Sequence, residues 1–306
     1  MTLRQLEIFV TIVDSGGFTR AAERLRVAQP SISQQIKQLE DELGERLIFR
    51  MRNQKMFLTE AGKVVKKHAH HILRQSDILR MEVASLTQDP VGEVYIGVGV
   101  HQLMPMVAPV LGSFHQKYPR VRVDITNVPT PQILDLLKNN RLDLGIVVLP
   151  VSDKELHTHV LFSEEMVVVV RKSDRLAQKR QIGVAEIGGL PLVLYDRNTK
   201  MRVCLDEFFR KEGISPTIVL ELNVVETMMT MVEAGFGATI IPVSAINALP
   251  YRDILQPLRI QGRRLTREVG VATTSFPRVP KLIDELLRLI QERFTKFDVA
   301  VSKPAA

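Results

Sequence analysis

The stretch from Phe18 to Leu43, FTRAAERLRVAQPSISQQIKQLEDEL, constrains this chain more than any other. It reads as two short helices joined by a tight turn at Arg26, Val27 and Ala28. Thr19 is placed to N-cap the first helix, and Ala21, Ala22 and Leu25 give it a small apolar face. Gln29 is the expected N-cap of the second, with Pro30 at the first helical position, where a missing N–H costs nothing. Ile32, Ile36, Leu39 and Leu43 recur at spacings of four and three, one stripe of a helix. At 100° per residue, Pro30, Gln34 and Lys37 fall opposite that stripe and Ser33 lies on its flank. A short, uncharged, hydrogen-bonding face followed by a lysine suits the major groove of DNA, where base edges offer donors and acceptors. The pattern is that of a helix-turn-helix with its recognition helix second. An ordinary helical hairpin with a polar outer face would meet the same spacing, so the flanking residues decide.

Those flanks are basic. Between Arg46 and Arg74 stand eight bases and one acid, Glu60, a concentration suited to phosphates. Leu47–Arg50 and Met56–Leu58 read as two short strands around Met51-Arg52-Asn53-Gln54-Lys55, a β-hairpin wing whose bases can enter the minor groove or bind backbone phosphate. The whole chain carries 41 Lys and Arg against 34 Asp and Glu, an excess too modest to prove a polyanionic partner by itself.

Before the hairpin, Thr2 to about Asp14 forms a first helix. Thr2 and Gln5 are spaced as a capping box, Leu3, Leu6, Val10 and Val13 line its expected face, and Ser15-Gly16-Gly17 ends it. After the wing, Thr59 to about Gln88 forms one helix about 45 Å long at 1.5 Å per residue. Val65, Ala69, Ile72, Ser76, Leu79, Val83 and Leu86 alternate by four and three, a seam to be buried against a second copy or against the chain's own C-terminal domain. His68 and His71 share a face there but lack acidic or thiol partners, so no metal site is assigned. Asp89-Pro90-Val91-Gly92 breaks the helix and marks a domain boundary. The division expected is 1–58, 59–89 and 90–306.

The remainder alternates strands and helices. Strands are expected at Val94–Val100, Val121–Val128, Leu142–Leu149, Met166–Arg171, Leu192–Leu194, Val219–Leu222, Thr239–Pro242 and Val269–Thr273. Near-continuous apolar strands imply parallel sheets covered on both faces. The segments 132–150 and 227–245 resemble each other as helix, break and buried strand. Crossings near Ser163 and Glu268 would divide the domain into lobe I, about 90–162 and 269–306, and lobe II, about 163–268. Two lobes with two crossings make an α/β clamshell whose cleft can hold a small molecule.

Other classes fit poorly. There is no Gly-x-Gly-x-x-Gly, no Gly-Lys-Ser/Thr loop and no His/Cys cluster, so no cofactor, metal or catalytic residue is assigned and an enzyme is disfavoured. Glu164 and Glu165 are adjacent on a strand and face opposite ways. One cysteine, Cys204, excludes an intrachain disulfide framework and reads as a buried helix thiol. MTLRQLEIF lacks a charged segment followed by a long apolar run, and no run of 18 apolar residues occurs. Neither secretion nor a membrane span is expected, and the cytoplasm is the default address. A constitutive DNA-binding protein without a ligand is the alternative.

At this point the residues resemble a known family. LRQLEIFVTIVDSGGFTRAAERL, VAQPSISQQIKQLEDELGERL and LTEAGK, followed by the long helix and the two-lobed domain, are similar to the LysR-type transcriptional regulators over nearly the whole chain. Phe18-Thr19-x-Ala21-Ala22, Gln29-Pro30-x-x-Ser33, Ile36-x-x-Leu39-Glu40 and Leu58-Thr59-x-x-Gly62 stand at the family spacing. The resemblance implies a winged helix-turn-helix, a dimerising linker helix and an effector domain like a periplasmic binding protein. It also implies a homodimer or dimer of dimers on double-stranded DNA, a small metabolite effector and contact with RNA polymerase. Departures are Ala28 where relatives often have Ser, Ile48 for a frequent Phe, a wing one residue longer, and Gln34 for a frequent Arg, which exchanges a guanine-seeking fork for an amide suited to adenine.

The DNA-facing candidates are Thr19, Arg20, Gln29, Pro30, Ser31, Ser33, Gln34, Lys37, Arg50, Arg52, Asn53 and Lys55. For the effector, the resemblance points to His101, Gln102, Leu103, Thr130, Pro131 and Leu149 from lobe I, and to Asp196 and Arg202 from lobe II. Helix N-termini at Gln102 or Pro131 would favour a carboxylate, with Arg202 as counter-charge.

Overall fold

A computed structural model describes residues 1–50, 56–84, 90–99, 103–248, 253–274 and 281–295. The first unit is α1 (Leu3–Ser15), α2 (Phe18–Leu25) and α3 (Gln29–Leu43), then the hairpin β1 (Ile48–Arg50) and β2 (Met56–Leu58). Thr2 and Gln5 close the expected capping box on α1, and Gly16, in the left-handed region at φ 73°, stops it. The face that α1 buries is Leu6, Ile8, Phe9 and Ile12, one residue out of phase with the expected one; Leu3 is exposed. Thr19 does not cap α2, which opens at Phe18 directly after Gly17. Gln29 is likewise the first residue of α3 rather than its cap; Ala28 holds the cap position and supplies no side-chain bond. Ile32, Ile36 and Leu39 are buried as their spacing requires, while Leu43 is 40% exposed because the helix outruns the small core formed with α1 and α2.

The long helix α4 (Glu60–Ala84) spans about 37 Å, and residues 85–89 lie outside the described residues. Among the described residues only Ala69 of the expected seam is buried, with Val65, Ile72 and Ser76 half-buried. The face that is buried is a neighbouring one, Arg74, Ile78 and Met81, and Met81 packs against Gly92 of the domain that follows. Leu79 and Val83 are 62% and 59% exposed. One face of α4 is therefore taken by its own chain, and the adjacent Leu79–Val83 stripe is left uncovered.

The second unit runs β3 (Gly92–Val98), α5 (Met104–Lys117), β4 (Val121–Thr126), α6 (Thr130–Lys138), β5 (Leu144–Val148) and β6 (Leu156–Arg171). It continues with β7 (Gln181–Ile182), α7 (Val184–Gly188), β8 (Pro191–Tyr195), α8 (Lys200–Lys211), β9 (Thr217–Leu222) and α9 (Val225–Glu233). It ends with β10 (Ala238–Pro242), α10 (Val243–Ala248), β11 (Leu255–Ile260), β12 (Thr266–Thr274) and α11 (Lys281–Thr295). The strand order is β4-β3-β5-β12-β6-β10-β8-β9, with β11 joining β6 to β7. The pairs β3·β4, β3·β5, β8·β9 and β8·β10 are parallel as expected, but β12 runs antiparallel to β5 and β6, and β10 and β11 antiparallel to β6, so each sheet is mixed.

The strand expected at Met166–Arg171 is only the second half of β6. Its first ten residues, 156–165, pair with β12, and its last six pair with β10 and β11. The first half escapes a hydrophobicity reading because His157, Thr158, His159 and Val160 are exposed. The two lobes meet where Ser163 and Glu268 stand opposite each other in register, the two positions at which the sequence placed its crossings. The lobes share one large core of apolar strand and helix residues, and Ile133, Leu137, Leu142 and Leu149 anchor a smaller one under α6. Among the described residues no helix is long and apolar enough to cross a membrane.

Candidate nucleic-acid interface and inter-lobe cleft

Burying Ile32, Ile36 and Leu39 turns the opposite face of α3 outward. Gln29, Pro30, Ser31, Gln34 and Lys37 are exposed, Ser33 is half-buried, and Gln29 Nε2 lies 3.5 Å from Ser33 Oγ. Thr19 and Arg20 are exposed on the first turn of α2. Three residues of the family-like spacing prove to be joinery. Glu40 Oε1 accepts the Leu47 and Ile48 N–H groups at 2.7 and 3.2 Å and fixes the root of the wing to α3. Thr59 Oγ1 donates to the Arg46 carbonyl at 2.7 Å and accepts the Gly62 N–H at 2.8 Å, which starts α4. A Cβ on Gly62 would lie 2.1 Å from the Leu47 carbonyl oxygen, so only glycine lets α4 approach the wing this closely. Arg52, Asn53 and Lys55 lie outside the described residues, as does the side chain of Arg50.

The effector candidates divide. His101 and Gln102 lie outside the described residues. Leu103 has no exposed surface and belongs to the main core, which removes it as a contact. Thr130 is 5% exposed at the start of α6, and its hydroxyl accepts the Val148 N–H at 3.3 Å, tying α6 to the end of β5. Pro131 is exposed beside it, and Leu149 is buried in the smaller core under α6. Across the cleft, Asp196 Oδ1 accepts from the Asn198 backbone N–H at 2.9 Å and its side-chain amide at 3.1 Å, and Thr199 caps α8 by accepting the Arg202 N–H at 3.2 Å.

Arg202 is not the expected counter-charge. Its guanidinium is 4% exposed and is committed to Asp206 at 2.8 Å, the Tyr195 carbonyl at 3.0 Å and Glu221 at 2.7 Å. Arg202 instead braces α8 against β8 and β9, and it holds the Glu221 carboxyl below its ordinary pKa with help from Arg197. Lys200, by contrast, does reach the opposite lobe: its ammonium donates to the Pro150 carbonyl.

Sequence reasoning also missed a buried pair at the lobe junction. Glu164 and Arg267 are 1% and 5% exposed, with Arg267 Nε donating to Glu164 Oε1 at 2.7 Å. The second carboxylate oxygen accepts the Ser244 N–H at 3.2 Å, and Arg267 Nη1 reaches Met201 Sδ at 3.6 Å. Glu165 points the other way, to Arg259 at 3.5 Å, as strand alternation demands. The clue lay in two charges set inside apolar strands. Burial, with Glu207 adding to it, raises the Cys204 thiol above its ordinary pKa against opposition from Lys200 and Arg267, the reverse of a redox-poised thiol. Among the described residues no group of three or more His, Cys, Asp or Glu could hold a metal ion.

Two family profiles match the chain. Residues 3–63 fit the bacterial regulatory helix-turn-helix protein, lysR family, and residues 87–295 the LysR substrate binding domain. Among curated relatives, the transcriptional regulator BsdA of Bacillus subtilis is 30% identical over 80% of this chain and 85% of its own, and the transcriptional activator CmpR of Synechocystis is 28% identical over 85% of each. Among solved structures, a full-length OxyR variant of Pseudomonas aeruginosa superposes with a TM-score of 0.76 at 25% identity, covering 98% of this chain and 96% of that one. CbnR complexed with its target DNA superposes with a TM-score of 0.71 at 22% identity, covering 96% and 100%, a likeness of fold.

Proposed function

The chain belongs to the LysR family of bacterial transcriptional regulators, and from that premise we propose how this member reads DNA and what it senses. It is a DNA-binding regulator with a ligand-binding C-terminal domain, not an enzyme. We take 1–58 as the DNA-reading unit, 59–89 as the linker and 90–306 as the sensor.

The observation that carries the readout is the outward, uncharged face of α3. Gln34 and Ser33 address base edges, Lys37 and Arg20 address phosphate, and Gln29, Pro30, Ser31 and Thr19 set the approach. The wing residues Arg50, Arg52, Asn53 and Lys55 add phosphate or minor-groove contacts. The uncovered Leu79–Val83 stripe pairs two copies through α4, and pairs of such dimers span adjacent half-sites. The protein works in the cytoplasm, where the chromosome and RNA polymerase, its further partner, are found.

The effector lies between the lobes, between Thr130, Pro131 and Leu149 on one side and Asp196 and Lys200 on the other. Its class is a small carboxylate: the N-termini of α6 and α8 favour an anion, and Lys200 can exchange the Pro150 carbonyl for it. Such a ligand closes the lobes only by binding the closed form more tightly. Selection of preferred duplexes from a random pool, followed by anisotropy titration, tests the readout. Gln34→Ala should cost about 1–3 kcal/mol on the selected duplex and little on random DNA. An equal loss on both would mean that Gln34 only positions the backbone.

A further inference from the structure

A cavity of about 380 Å³ lies where α4 meets the outer face of α6, outside the cleft. Lys66 and His70 of α4, Gln132 and Leu136 of α6, and Arg141 beyond it form its walls. Gln132 and Leu136 lie on one side of α6 with Asn139 at its C-terminal cap, whereas the Thr130 hydroxyl turns to Val148 on the other. Asp14 at the end of α1 joins the cluster, 3.3 Å from Arg141 and 3.9 Å from Lys66. Charge-assisted bonds of full strength are about 2.7–2.9 Å long, so one carboxylate holds two cations loosely and leaves both with donors to spare. His70, one helical turn after Lys66, has a buried Nε2 with no hydrogen-bond partner. Burial lowers its pKa, Asp14 opposes this, and Arg141 and Lys66 add to it.

We propose that this cavity is a second ligand site, for a small anion that presents a carboxylate or phosphate group to Arg141 and Lys66 in place of Asp14. Two cations and an amide from Gln132 supply the polar contacts, and Leu136 supplies an apolar wall. At about 30 Å³ per water, the volume is that of roughly a dozen waters, which suits a metabolite of a few carbons. Asp135, the other carboxylate on this wall, lies 3.7 Å from Lys138, which Asp153 holds more closely at 3.0 Å; the Asp135 side chain is largely exposed, so water screens its charge. The anion and Asp14 compete for the same cations, so occupancy loosens the tie between α1 of the DNA-reading unit and lobe I. The cleft ligand acts through lobe closure, whereas this one acts directly on how the winged unit is held.

Calorimetry on the full-length protein at low ionic strength, with succinate and with inorganic phosphate as probes, tests the site. At least one probe should bind saturably, and which one identifies the group preferred. Arg141→Gln should weaken binding by about tenfold or more, the loss of a hydrogen bond to a charged group. Asp14→Asn should tighten it about two- to fivefold, because the competing carboxylate is gone and exposed pairs are worth that much. Lys200→Gln, on the cleft, should leave it unchanged. Lys66→Gln repeats the test if Arg141→Gln alters the far-ultraviolet circular dichroism. The proposal is overturned if neither probe binds, if Arg141→Gln binds as the parent does, if Asp14→Asn weakens binding, or if Lys200→Gln alone abolishes it.

Discussion

Arg74→Met should destabilise the joint between α4 and lobe I, and by an amount that depends on pH. Arg74 Nε donates to Asp143 Oδ1 at 2.9 Å, its two other nitrogens reach the Glu93 carbonyl at 3.3 and 3.4 Å, and its guanidinium lies 5.0 Å over the Tyr95 ring. Asp143 has no exposed surface and accepts the Tyr95 N–H at 2.8 Å. Burial raises the Asp143 pKa, and Arg74 is the main force opposing it. Methionine keeps the length of the side chain but removes the charge, and an unpaired buried charge costs about 3–5 kcal/mol. The carboxyl can escape part of that cost by taking a proton. From an unfolded value of about 3.9, neutralisation at pH 7 costs about three pH units at about 1.4 kcal/mol each, a ceiling of about 4 kcal/mol; at pH 5 the ceiling falls to about 1.5. A folded pKa raised above the unfolded one gives stability that is present at acid pH and lost as pH rises. The deficit of Arg74→Met should therefore grow from pH 5 to pH 7. Urea unfolding followed by circular dichroism at pH 5, 6 and 7 measures it. Adding Asp143→Asn, which keeps an acceptor for the Tyr95 N–H, should recover most of the loss and abolish the pH dependence. A deficit of the same size at all three pH values would show that packing, not charge, holds the joint.

Leu79→Asp places a charge on the uncovered stripe of α4, so the monomer should keep its fold while the dimer is weakened by several kcal/mol; sedimentation at micromolar concentration showing the parent oligomer would rule out this pairing face. Gly62→Ala forces a Cβ to 2.1 Å from the Leu47 carbonyl and should cost about 3 kcal/mol or more, read as lost protection in the winged unit and lost DNA binding. Thr130→Val removes the acceptor of the Val148 N–H and should cost about 1–3 kcal/mol in thermal unfolding, whereas Thr130→Ser should cost much less; equal losses would detach the hydroxyl from this role.

Elements built from local rules were legible in the sequence. The capping box at Thr2 and Gln5, the left-handed glycines after α1 and α3, and the buried triad Ile32, Ile36 and Leu39 follow from interactions within a few residues. Even so, four-three spacing left the phase of α1 open, because Val10 and Val13 are as apolar as Phe9 and Ile12, and packing made the choice. The lobe junction at Ser163 and Glu268 could be located, but the direction of β12 could not, since hydrophobic runs carry no orientation. Of the candidate site, the exposed face of α3 followed from its own stripe. Arg202 did not, because a cation at a cleft-facing helix start looks the same in sequence whether its partner is a ligand or Glu221, and Glu221 lies nineteen residues away in the chain. Lys200 and Arg267 were hidden for the same reason: Lys200 meets Pro150 only across the two lobes, and Arg267 meets Glu164, 103 residues away in the chain, only once β12 pairs with β6.

The continuity of β6 and β12 through the lobe junction sets the mechanics of the sensor. Two hydrogen-bonded strands form a ribbon that resists stretching and sliding but yields to torsion, so a movement of one lobe against the other would pivot about it as about a torsion bar. Ser163 and Glu268 stay together while displacement grows with distance from the bar. In each lobe the outermost strand, β4 or β9, stands three strands away, about 14 Å at ~4.8 Å per strand, so each degree of torsion moves it about 0.25 Å. The bar is thus a gear as well as a tether: a ligand gripping near the axis needs only a sub-ångström closure for the rims, and whatever leans on them, to travel several times as far.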